Sequence, residues 1–116
     1  MIFGVGVDLV DLARFERAIE KTPELIEKIF ASSERDGSVQ TLAGRFAAKE
    51  AVIKAVGDPS GLKWHEVLVS KDSLGKPLVS TVGASAEFVA AKGISSLHLS
   101  ISHDAGKAIA MVVAEA

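Results

Sequence analysis

The chain has no cysteine, which excludes a disulfide framework and every form of thiolate chemistry. It also lacks a basic leader: Met1-Ile2-Phe3-Gly4-Val5 opens without a charge. The longest apolar run, Ala108 to Ala114, falls far short of the ~20 residues a membrane helix requires. The expectation is a soluble, cytoplasmic protein with no membrane partner. A strong charge imbalance is missing too. The net charge of −2 supplies no basic field that would condense onto nucleic acid, so any anion site must be local. His65, His98 and His103 fall on different segments with no zinc-ligand spacing.

What is present is apolar content, 48% of 116 residues. One domain spanning residues 1–116 is expected, burying roughly 65% of its extended-chain surface by size scaling. So small a body has too little interior for all its apolar side chains, which points to a homo-oligomer.

Ile2 to Asp8 reads as a buried strand, with Gly4 and Gly6 marking a close approach by a backbone or a ligand. Asp11 is placed to cap a helix carrying Leu12, Phe15 and Ile19 on one face and Arg14, Arg17 and Lys21 on another. Pro23 interrupts it, and Glu24 to Phe30 reads as a second short helix. The polar stretch Ser32 to Gln40 reads as a mobile loop. Thr41 to Val56 is the clearest helix, ended by Gly57. Glu66 to Lys71 and Lys76 to Val82 read as strands, Gly83 to Lys92 as a helix, and Leu97 to Ser102 as an alternating strand that turns at Asp104-Ala105-Gly106 into a last one.

Chemistry concentrates on the central helix. With Leu42 at zero on a helical wheel, Phe46, Ile53 and Val56 lie within about 40° of it, and Lys49 falls inside that apolar arc. Arg45 sits one turn before Lys49, a like-charge pair that a nearby anion would relieve. Glu50 precedes Lys54 in the order of an ordinary surface i, i+4 pair, so spacing alone does not separate a site from a solvated face. Asp8, on a glycine-containing strand, is either a cleft carboxylate or a helix cap. Two carboxylates on separate elements suit magnesium, which keeps waters and draws further ligands from substrate phosphates. Sequence neighbours such as Ser102-His103-Asp104 rarely form a serine triad, because adjacent residues on a strand face opposite ways; a phosphate-binding role for Ser102 and His103 is the alternative. The stripe Arg14, Arg17, Lys21 is either a solvated face or the contact for an acidic partner.

Three segments carry a resemblance: Gly4-Val5-Gly6-Val7-Asp8, Gly44-Arg45-Phe46-Ala47-Ala48-Lys49-Glu50-Ala51 with Lys54-Ala55, and Leu99-Ser100-Ile101-Ser102-His103-Asp104. In order and spacing, over nearly the whole chain, they resemble the holo-acyl-carrier-protein synthase family of phosphopantetheinyl transferases. The resemblance implies an α+β fold, a small mixed sheet packed with helices and assembled as a homotrimer. It implies a transfer of 4'-phosphopantetheine from coenzyme A to an acyl carrier protein in support of fatty acid biosynthesis. Asp8 and Glu50 would hold magnesium and, with Lys54, act in catalysis. Arg45, Lys49, Lys54, Ser102 and His103 would line the coenzyme site, which would need two chains, and Arg14, Arg17 and Lys21 would face the carrier protein. The proton acceptor stays open among Glu50, a metal-bound water and an acid of the 34–36 loop. Many relatives carry Gly-Thr-Gly after the central helix; this chain has Gly57-Asp58-Pro59-Ser60-Gly61.

Overall fold

A computed structural model describes residues 1–116. Strand β1 spans Ile2–Asp11, so it continues past Asp8, the expected end. Helices α1 (Leu12–Lys21) and α2 (Glu24–Ile29) follow, then a 3-10 turn at Ser32–Glu34 and the long helix α3 (Val39–Val56). Strands β2 (Val67–Lys71) and β3 (Pro77–Thr81), helix α4 (Gly83–Ala91), and strands β4 (Ser96–Asp104) and β5 (Lys107–Glu115) complete the chain. The α+β class is as expected. The sheet is not mixed: β1-β5-β4 forms a three-stranded sheet and β2-β3 a two-stranded one, and every pairing is antiparallel. Short hairpins account for β2-β3 and β4-β5, which parallel pairing with its long crossovers could not use; β1 meets β5 from the other end of the chain.

Local chemistry sets the boundaries. The Asp11 carboxylate accepts the backbone N–H of Arg14 at 2.9 Å and caps α1. Asp8 therefore has no capping role. Ser38 caps α3 by accepting from Thr41 N, and Gly57 closes it in the left-handed region at φ 83°.

Helix α3 lies directly on the inner face of the three-stranded sheet, and small residues set the spacing. A Cβ at Gly6 would stand 1.9 Å from the carbonyl oxygen of Ala51, and one at Gly4 2.1 Å from that of Ala55. The close approach marked by the two glycines is thus by the α3 backbone. Ala108, Ala110, Val112 and Ala114 line the same face from β5, fully buried. The helix is buried on more sides than the expected arc: Ala43, Ala47, Ala48 and Ala51 are sealed, whereas Phe46 and Ile53 are half-buried. Ala51 and Ala55 make the closest approach to β1, while Leu42 and Val56 of the expected arc are buried as well.

The outer face of this sheet has no cover within the chain. Val5, Val7 and Leu9 on β1 and Ile109 and Met111 on β5 are 41–61% exposed. The register places Val7 opposite Met111 and Leu9 opposite Ile109, so they form one continuous apolar surface.

Candidate active site

Between β1, α1, α2 and α3 lies a cavity of about 600 Å³. Phe15, Ile19, Leu25, Ile29 and Phe46 form an apolar floor, and Asp8, Glu50, Lys54, Asp11 and Arg14 stand among the charged lining. The rings of Phe15 and Phe46 lie 5.7 Å apart. Asp8 reaches the cavity because the alternation of β1 turns it to the inner side with Gly6 and Val10. Glu50 and Lys54 follow one another by a turn along α3.

Lys54 does not pair with Glu50. Its Nζ donates to Asp8 Oδ1 at 3.2 Å and to the Val7 carbonyl at 3.0 Å, so the ordinary surface-pair reading does not hold. Glu50 is left beside Asp8 without an ion-pair partner. Burial first, and then the Asp8 charge, push the Glu50 carboxyl above the usual glutamate range; Lys54 partly offsets this. The structure thus brings Asp8, Glu50 and Lys54 together, with Arg14 also at the cavity. Arg14, Arg17 and Lys21 share one exposed stripe of α1.

Lys49 requires a correction. It is 1% exposed, and its Nζ donates at 2.7 Å to Glu34 Oε1 and to the carbonyls of Trp64 and Val67. An ammonium has three N–H donors, and all are taken within the chain, leaving none for a coenzyme phosphate. Burial pulls the Lys49 pKa down, the Glu34 carboxylate partly restoring it. Glu34 is equally sealed, its oxygens also accepting from Ala31 N at 2.9 Å and Val69 N at 2.7 Å. It cannot receive a substrate proton, and it anchors the otherwise largely exposed Ser32–Gln40 stretch at one point, with the Asp36 carbonyl held by Arg45 at another.

Arg45 and His103 meet elsewhere, in a second pocket of about 200 Å³ that shares no residue with the first. Arg45 Nη1 donates to the carbonyls of Glu34 at 2.5 Å and Asp36 at 2.7 Å. His103 packs on α3 over Gly44, where a Cβ would come within 3.0 Å of Nε2, and that nitrogen lies 2.9 Å from the Gln40 carbonyl. Ser102 is exposed and, by strand alternation, points to the opposite face from His103, so the two do not act as a pair in one chain. Lys71 lines this pocket as well; sequence reasoning passed over it, because a lysine at a strand end carries no local signal.

The comparisons with known proteins agree with one another. A model of the 4'-phosphopantetheinyl transferase superfamily matches residues 4–112. The holo-[acyl-carrier-protein] synthase of Clavibacter sepedonicus is 51% identical, covering 99% of this chain and 97% of that protein. The crystal structure of the synthase of that name from Neisseria meningitidis superposes with a TM-score of 0.93 at 35% identity, covering 100% of both chains. The Helicobacter pylori synthase in complex with coenzyme A gives 0.85 at 32% identity, covering 96% of this chain and 99% of that one. With the fold shared end to end and sequence identity this high, the chain belongs to the 4'-phosphopantetheinyl transferase superfamily.

Proposed function

We propose that this chain is a holo-acyl-carrier-protein synthase that moves the 4'-phosphopantetheine arm of coenzyme A onto a serine of apo acyl carrier protein, releasing adenosine 3',5'-bisphosphate. The observation that carries this is the Asp8, Glu50 and Lys54 cluster above an apolar floor, in a chain half identical to synthases of that name.

The donor set fits magnesium. Two carboxylates meet, one of them raised in proton affinity by burial and by the other's charge, and hard oxygen ligands of this number are what magnesium takes from a protein before phosphates complete its shell. Asp8 and Glu50 would hold the ion, which supplies charge neutralisation at the pyrophosphate. Lys54, about half exposed and anchored on Asp8, presents a cation to the same phosphates. The serine oxygen forms a bond to the β-phosphorus as the bridging P–O bond breaks and its electron pair departs with the adenosine bisphosphate. The serine proton passes to Glu50 or to water. Of the loop acids, Glu34 is sealed, and Asp36 stands by Arg45, outside the carboxylate cavity.

Arg45 and His103 take the distal phosphate of coenzyme A, and the separation of the two pockets within one chain is met by a homotrimer in which a neighbour completes each site. The uncovered apolar sheet face supports that assembly. Arg14, Arg17 and Lys21 meet the acidic carrier protein, steering its approach. Carrier protein and coenzyme A as substrates place the enzyme in the cytoplasm, in fatty acid biosynthesis; no helix is long and apolar enough to cross a membrane.

The test is incubation of the chain with apo carrier protein, coenzyme A and magnesium. Intact-mass spectrometry should show the carrier gaining one phosphopantetheine arm, and chelation of the metal should stop the gain. Binding of coenzyme A with no mass gain on any candidate carrier would leave a coenzyme-binding subunit and end this reading.

A further inference from the structure

The β2-β3 hairpin shares no sheet hydrogen bonding with the β1-β5-β4 sheet. It nevertheless builds one wall of the Arg45–His103 pocket, through Val69, Lys71 and Pro77. Side chains must therefore fix its position, and the polar tie runs through one buried pair. Lys49 Nζ donates to the Val67 carbonyl and to Glu34 Oε1, while Glu34 Oε2 accepts from Val69 N, each at 2.7 Å. The hairpin backbone is thus held at two alternate residues of β2, by an α3 lysine and by the glutamate of the 3-10 turn. The opposite wall depends on the same turn, because Arg45 Nη1 donates to the Glu34 carbonyl. Arg45 Nε and Nη2 make no hydrogen bond within the chain and remain for a ligand.

We infer that the buried Lys49–Glu34 pair is the positioning device of the Arg45–His103 pocket: Lys49 acts on coenzyme A through Glu34 and the hairpin, without touching the coenzyme. This rests on the proposed function of the pocket. An apolar pair of similar volume often stabilises a core as well as a buried ion pair does. What it lacks is direction. A carboxylate accepting from Ala31, Val69 and Lys49, and an ammonium donating to three fixed oxygens, set the mutual orientation of α3, β2 and the turn. The position of Lys49 on the apolar seam follows from that task.

The experiment is steady-state transfer kinetics for the wild-type chain, Lys49→Gln, Arg45→Ala and the double variant. Lys49→Gln keeps amide donors one atom short of the original reach. It should raise KM for coenzyme A about tenfold with kcat changed by less than about threefold, the signature of lost ground-state positioning. In the Arg45→Ala background the same substitution should raise KM clearly less, because both act on one pocket. Should Lys49→Gln not fold, Glu34→Leu combined with Lys49→Met replaces it, with the same rise in KM expected. An unchanged KM in a folded variant, or full multiplication of the two effects, overturns the inference even if the melting temperature drops. A wild-type chain that transfers nothing overturns the function instead, so the two failures are distinct.

Discussion

At the scale of single residues, the fate of each charge is decided by what it can reach. Lys54 lies on the same helix as Glu50 in good pairing order, yet it donates to Asp8 and the Val7 carbonyl. Lys49 finds three acceptors in the interior. Sequence placed Lys49 on the apolar side of α3 correctly. Its partners were hidden because Glu34 and the two carbonyls lie 15 to 18 residues away and no local rule links them. Asp11 shows the legible case: a cap position read from sequence and found as such. The Lys107 ammonium first, then the Arg14 N–H, hold its carboxyl below the usual aspartate range. A lowered pKa stabilises the fold above the ordinary aspartate range, and that contribution is lost as pH falls through the folded value. Asp11→Asn should therefore melt below wild type at neutral pH, with the gap narrowing under acid and with added salt, as followed by circular dichroism. A gap constant from neutral to strongly acidic pH would remove the charge from the account.

At the scale of elements, periodicity and punctuation exposed nearly every helix and strand. α1, α2, α3, α4 and the four later strands fall within about three residues of where sequence places them. Two features were beyond reach. The antiparallel order β1-β5-β4 joins the first strand to the last, a pairing of chain ends that composition does not announce. The alanine face of α3 looked unremarkable on a wheel because alanine carries little hydrophobic signal. Its value is its size, matched to Gly4 and Gly6 across the interface. Gly6→Ala places a methyl against the Ala51 carbonyl, which is backbone and cannot rotate aside. A loss of about 3 kcal/mol or more is expected in denaturant unfolding, with transfer lost as Asp8 and Glu50 are pushed apart. A loss below 1 kcal/mol would mean that α3 shifts freely.

At the scale of the whole molecule, apolar excess in the composition found its place on the outer face of the main sheet. Val7, Leu9, Ile109 and Met111 project there with nothing above them in the chain. Met111 is already half exposed in the single chain, so Met111→Glu should leave the protomer folded. If the proposed homotrimer buries this face, the substitution should dissociate it, observed as a threefold fall in mass by light scattering, and reduce transfer at least about a hundredfold, since in that assembly a neighbour completes each site. A monomer of full activity would show that one chain holds the complete site.

The central claim is that Asp8 and Glu50 form one metal and pyrophosphate site. The most direct measurement is the intact mass of apo carrier protein after incubation with coenzyme A, magnesium and either wild type, Asp8→Ala or Glu50→Gln. Wild type should convert the carrier completely. Both variants, folded by circular dichroism and with Glu50→Gln melting no lower than wild type, should be slower by about a thousandfold or more. Conversion by either variant at the wild-type rate would contradict the account.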